Sequence, residues 1–145
     1  MGMQDDVLAY LDSNSTKVTA GSNLFKNAMG ESTGRAIFVI PTVGLPAIEK
    51  FSGSVPAMTR PRVQIVTRST KAVGAQGIPG STATMDLAED MRDLLAGVTN
   101  ASVNGTQYQR IFCLQSEPYN IGRDEAGRLL FAQNYQVLRS PTTQA

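Results

Sequence analysis

Histidine is absent from the 145 residues of this chain. Its absence removes the Ser-His-Asp and Cys-His catalytic arrangements and the commonest metal ligand together. Cysteine is nearly absent as well: Cys113 stands alone, so neither an internal disulfide nor a zinc site of known type is available, and the chain suits folding in a reducing compartment. The setting of Cys113 in Ile111-Phe112-Cys113-Leu114 predicts a small buried hydrophobe rather than a reactive thiol. No apolar run approaches the roughly 20 residues of a membrane span. The first residues, Met1-Gly2-Met3-Gln4-Asp5-Asp6, are acidic where a secretory signal is basic, which predicts a soluble, unprocessed chain with no membrane partner. Nor is there an excess of one charge. Thirteen basic and twelve acidic residues leave +1, so no overall field draws the protein to nucleic acid or an anionic surface, and any charge-based role must be local.

Familiar site motifs are missing too. Gly74-Ala75-Gln76-Gly77-Ile78-Pro79-Gly80 is glycine-rich but lacks the Gly-Lys-Ser/Thr ending and strand-to-helix setting of a phosphate loop, so it reads as a flexible loop. Asn-x-Ser/Thr occurs at Asn14, Asn100 and Asn104, chance matches where nothing directs secretion. Asn104-Gly105 has a better use, because both residues tolerate positive φ and suit a two-residue primed turn.

What remains is an ordinary globular balance, 41% hydrophobic and 17% charged, expected to form one domain over residues 1–145. Asp5 to Leu11 predicts a short helix with Val7, Leu8 and Leu11 on one stripe and Asp5 and Asp6 at its positive end. Residues 12–34 read as irregular and pinned by Phe25. Arg35 to Ile40 is an apolar strand expected to stop at Pro41. Arg60 to Ser69 alternates, Val63, Ile65 and Thr67 against Arg62, Gln64 and Arg68, with Pro61 suiting a strand start or an edge. Residues 42–59 and 70–81 are expected to be irregular, the second mobile. Thr84 to Ala96 is the clearest helix, with Leu87, Met91, Leu94, Leu95 and Val98 on its apolar face and Gly97 as a left-handed terminator. Ala101 to Val103 precedes the Asn104-Gly105 turn. Gln107 to Gln115 and Leu129 to Leu138 are aromatic-rich strands expected to pair antiparallel, joined through the charged loop Asn120 to Arg128. The order predicts an α+β fold, a largely antiparallel sheet with two helices on one face.

No cofactor is implied, and the charged clusters point to contact rather than chemistry. Asp86, Glu89, Asp90 and Asp93 fall on a solvated helix face. Arg60, Arg62, Arg68 and Lys71 gather on or near one strand without interleaved aromatics, so they read as a solvent-facing sheet surface rather than a nucleic-acid site. Arg123, Asp124, Glu125 and Arg128 are expected to pair across the hairpin or across a subunit boundary. With the loop residues Lys71, Gly74, Gly77 and Ile78, these and Arg62 and Arg68 are the candidate interaction residues.

The order of these pieces resembles the tail terminator, or minor capsid, proteins of long-tailed bacteriophages. The matching stretches are the N-terminal helix, Gly21-Ser22-Asn23-Leu24-Phe25, Arg60 to Arg68, the Asp-rich helix ending Asp93-Leu94-Leu95, Asn104-Gly105-Thr106, and Gly122 to Arg128 leading to Asn134-Tyr135. At 42–56 the family often has a Gly-Gly turn, where Thr42-Val43-Gly44-Leu45-Pro46 keeps one glycine. The resemblance implies a non-enzymatic structural protein of the virion, assembled in the host cytoplasm, that forms a hexameric homo-oligomeric ring on the tail tube protein. Such a ring ends tube growth and meets a head-tail connector or neck protein, with genome DNA passing through without sequence-specific binding. A head-completion or neck adaptor of the same virion is the alternative.

Overall fold

The computed structural model describes residues 2–26, 34–49, 56–70, 81–125 and 127–140. In chain order the elements are α1 (Met3–Asn14), β1 (Leu24–Lys26), β2 (Ala36–Glu49), β3 (Pro56–Arg68), α2 (Ser81–Ala96), β4 (Thr99–Val103), β5 (Thr106–Cys113), β6 (Tyr119–Arg123) and β7 (Leu129–Arg139). The strands form one seven-stranded sheet in the order β1-β2-β3-β7-β5-β4, with β6 also on β7. Every pairing is antiparallel except β1 with β2, and the fold is α+β. β7 is the central strand. β3 lies along one edge of it, while β6 and β5 share the other, β6 opposite Leu129 to Ala132 and β5 opposite Tyr135 to Arg139. Its nearly continuous burial arises because Tyr135 and Val137 lie under the helices on one face, while Leu130 and Ala132 pack with Ala36, Phe38 and Val66 on the other.

Both helices lie on one face of the sheet. Val7 and Leu11 of α1 and Leu87, Met91 and Leu95 of α2 pack with Ile37, Val39, Val63, Ile65, Tyr108, Ile111, Tyr135 and Val137. These strand residues alternate as the sheet period demands, and the helix residues recur every three or four positions. Cys113 is half-buried against this core, and burial pushes its thiol pKa up, which makes it a packing residue. The Asn104-Gly105 turn between β4 and β5 has φ of 51° and 81°, as a primed hairpin turn requires.

Several boundaries differ from the sequence-based expectations. The first helix runs to Asn14, and the segment expected to be irregular contains β1, whose Leu24 is fully buried while Phe25 stacks on Phe38 with ring centroids 5.7 Å apart. β2 does not stop at Pro41. It continues to Glu49 beside β3, which begins at Pro56, so much of 42–59 is a long two-stranded arm. Pro41 is accommodated because β1 pairs only with Ile37 to Val39; beyond them β2 is an edge strand, and a residue without an N–H need not break a ladder there. Pro61, expected at a strand start or an edge, instead lies within β3 between β2 and β7. There the Gln136 amide donates to Arg60 O (2.9 Å) and Pro61 O (3.0 Å). The register between β2 and β3 shifts between Thr42 and Leu45, and at this irregularity a Cβ on Gly44 would lie 2.5 Å from Arg60 O and 2.8 Å from Pro61 Cα. Only glycine fits so close an approach of two backbones. Gly97 ends α2 without a left-handed φ; its N–H bonds Asp93 O at 3.2 Å. Finally, the stretch from Asn120 to Arg128 is not all loop, because β6 occupies Tyr119–Arg123 and the turn begins only at Asp124.

Candidate assembly surface

Cross-strand partners share a face, so register defines the side of the sheet that carries no helix among the described residues. One row crosses it as Thr42, Arg62, Gln136 and Phe112, on β2, β3, β7 and β5. Two residues along lies Ile40, Gln64 and Asn134, and beyond it Phe38, Val66, Ala132 and Tyr119. Ala36, Arg68, Leu130 and Gly122 complete the set. Across β2, β3 and β7 the last two rows are dry: Ala36, Phe38, Val66, Leu130 and Ala132 form a second apolar cluster, with Phe25 and Ile40 packed against it. The β5 and β6 side of this face is wet. Phe112 is 39% exposed, Leu114 42% and Tyr119 38%. The Arg110 guanidinium lies 4.7 Å from the centre of the Phe112 ring, close enough for a cation–π contact. Arg62 Nε donates to Gln136 Oε1 at 2.8 Å, and Asn134 Nδ2 to the Tyr119 hydroxyl at 2.9 Å.

The dry end is organised around a buried cation. Arg68 is 1% exposed and its guanidinium sits 4.9 Å from the Phe38 ring centre. Burial first, then the nearby Arg128 charge, hold its pKa below the ordinary arginine value, while Asp124 pulls the other way. Asp124 and Arg128 belong to the β6–β7 turn. Arg128 Nε meets Asp124 Oδ2 at 2.7 Å, with both side chains under one-fifth exposed, and Asp124 Oδ1 also accepts the Arg128 N–H at 2.9 Å. Two backbone bonds close the turn, Asp124 N to Arg128 O and Gly127 N to Asp124 O, both 3.0 Å. Asp124 and Arg128 therefore pair with each other within the turn.

A family model described as bacteriophage tail terminator protein matches residues 10–140. The chain belongs to that family. It is accordingly a structural protein of the phage virion. Among solved structures, a chain of the virion of a native gene transfer agent particle is similar at a TM-score of 0.69 and 13% identity, over 96% of this chain and 95% of that one, which shows a shared fold. Comparison with curated proteins gives no match.

Within this tail terminator fold, the sequence-predicted residues separate into groups. Arg62 lies on the helix-free face. Arg68 is on the same face but buried, which corrects the expectation of a solvent-facing basic strand: at its end of the strand Phe38, Leu130 and the β6–β7 turn replace water. Arg123 and Glu125 remain exposed, with Arg123 Nη1 3.4 Å from Gly127 O. Lys71, Gly74, Gly77 and Ile78 lie outside the described residues. Sequence reasoning passed over Arg110, Phe112, Leu114 and Tyr119 as surface residues. Their signal was legible: β5 carries apolar side chains on both faces, Ile111 and Cys113 toward the helices, Phe112 away from them, although helices cover only one. It also missed a buried polar network across the helix-covered side. Asp6 is 1% exposed, accepts from the Tyr108 hydroxyl and from Asn104 Nδ2 (2.9 Å), and has Arg139 Nη1 at 4.0 Å. Burial, then the bond to Asp6, raise the Tyr108 pKa, so the hydroxyl stays a donor to the carboxylate that locks α1 onto the β4–β5 hairpin.

Proposed function

We propose that this chain forms a ring that caps the tail tube, ends tube polymerisation and provides the joint to the head or neck. The match to the tail terminator family over residues 10–140 carries the proposal. The ring is a hexamer of identical subunits seated on the tail tube protein, with a head-tail connector or neck protein on its far side and genome DNA passing through its centre without base-specific contacts. Its role is structural and non-enzymatic. The single domain of residues 1–145 supplies one subunit, and its exposed polar and apolar surfaces serve contacts between rigid partners, as ring assembly requires.

The test is tube elongation. Added to growing tubes of tail tube protein, the chain should halt growth at sub-stoichiometric amounts relative to the tube subunit, because only the open end is capped. Tubes that lengthen at an unchanged rate overturn the cap. If the chain leaves elongation unaffected and binds filled heads or their connector instead, the head-completion or neck adaptor takes its place.

A further inference from the structure

Resting on the ring proposed above, we infer that neighbouring subunits meet head to tail through two opposite sides of the sheet. The helix-free strip around Phe112 and Arg110 of one copy packs on the exposed acidic side of α2 of the next. The occupant of the strip is thus a second copy of this chain.

Three observations carry the inference. First, an antiparallel sheet with one solvated face ordinarily presents polar residues there, so large apolar side chains exposed on that face mark a surface that gains by being covered. Helices cover one face, whereas Phe112, Leu114 and Tyr119 are 38–42% exposed on the other or at its edge. Phe112 and Tyr119 lie opposite Gln136 and Ala132 of β7, which sets them about 14 Å apart at the strand rise, a span one helix can cover. Second, charge is complementary. Arg110 is exposed beside Phe112 and Arg62 lies in the same row. Across the sheet, α2 carries Asp86, Glu89, Asp90 and Asp93 against the single cation Arg92; Asp86 and Asp93 are exposed, Asp93 with Arg92 Nη2 at 3.3 Å and Asp90 paired with Lys17. Third, α2 packs on β3, β5 and β7, the strands whose reverse side bears the strip. The two surfaces therefore back onto each other through one sheet. A contact between two different patches on opposite sides of a subunit is heterologous, and it builds a ring when the rotation from copy to copy closes. A helix seated on the strip would desolvate the aromatic centre and leave the charges at the rim, where they set register and orientation.

Charge reversal on full-length protein tests this. Native mass measurement of material bound to tail tubes reads ring occupancy, and thermal unfolding checks that each variant is folded. Arg110→Glu should raise the concentration needed for half occupancy at least 10-fold, as should the α2 variant Asp86→Lys with Asp93→Lys. Combining both in one chain should recover most of that loss, because every interface again joins opposite charges. Phe112→Ala should weaken occupancy comparably while its unfolding midpoint stays near that of the parent. If the parent forms rings and folded Arg110→Glu and α2 variants form them equally well, or the combined variant shows no recovery, the interface is overturned while the ring stands. If the parent places no ring on tubes, the ring fails and the interface with it.

Discussion

The two faces of this sheet are made from the same strands and differ in what covers them. On the helix side, Ile37, Val63, Tyr135 and Val137 are 0% exposed, sealed by α1 and α2. On the other side, exposure rises along the strands from Phe38 and Val66 at the dry end to Phe112 at the wet end. A strand has no means of covering its own faces, so the same alternating sequence produces core on one side and a graded surface on the other. The larger of the two apolar clusters lies on the covered side, and the exposed Phe112 and Tyr119 lie on the open one.

Core truncation should break the comparison most sharply. Met91→Ala, under the helix and fully buried, should cost about 2–5 kcal/mol from lost transfer energy and a residual cavity. Phe112→Ala should cost no more than about 1 kcal/mol in the isolated subunit, since its ring is already partly wet. Urea unfolding of both variants measures the difference, and equal losses would contradict the division between faces.

Next in size is Gly44→Ala. Its added Cβ would overlap Arg60 O at 2.5 Å, and relieving that clash between two backbones should cost on the order of 1–3 kcal/mol. A neutral result in the same urea titration would mean that the arm formed by β2 and β3 shifts freely against the sheet.

The turn of the open face should respond less. Asp124→Ala removes the ion pair to Arg128 and the bond to its N–H, and should lower stability by about 1–2 kcal/mol. The exposed neighbour Glu125→Ala should change it by less than about 0.5 kcal/mol. Similar effects on stability from the two would show that the turn is solvated rather than built around Asp124.

The smallest effect is a pH dependence confined to the covered side. Burial raises the pKa of Tyr108 and of Tyr135, so both stay neutral in the folded protein at pH values where unfolded chains ionise. Their contribution is present in full below about pH 10, the ordinary tyrosine value, and is lost as pH rises beyond it, because the unfolded state then releases protons that the folded state retains. The tyrosinate absorbance of Tyr108 and Tyr135 should accordingly rise late and together with unfolding. Ionisation of Tyr108 and Tyr135 before unfolding would place them in solvent.

Much of the difference between the faces was legible in the residues. Helical periodicity located α2, the alternation Val63, Ile65, Thr67 marked the covered face, and Asn104-Gly105 fixed the β4–β5 turn. What escaped depended on distant partners. β1 is three residues long and is a strand only because β2 offers it a parallel edge; nothing in Leu24-Phe25-Lys26 announces that. β6 is exposed throughout, so it lacks the alternation by which a half-buried strand is recognised, and it pairs across a β7 that the turn brings back. Pro41 and Pro61 suggested strand ends because a local rule cannot know where β1 stops or that Gln136 fills the gap. The burial of Arg68 was hidden for the same reason: the charge reads as surface until Phe38 and the turn holding Asp124 and Arg128 close around it.

The ring itself is best tested by imaging tail tubes assembled with and without this chain, viewed along and across the tube axis. A capping subunit should give one six-fold ring of the protein at a single end of each tube, with tubes of restricted length. Tubes whose ends carry no such density, or protein distributed along their length, would contradict it.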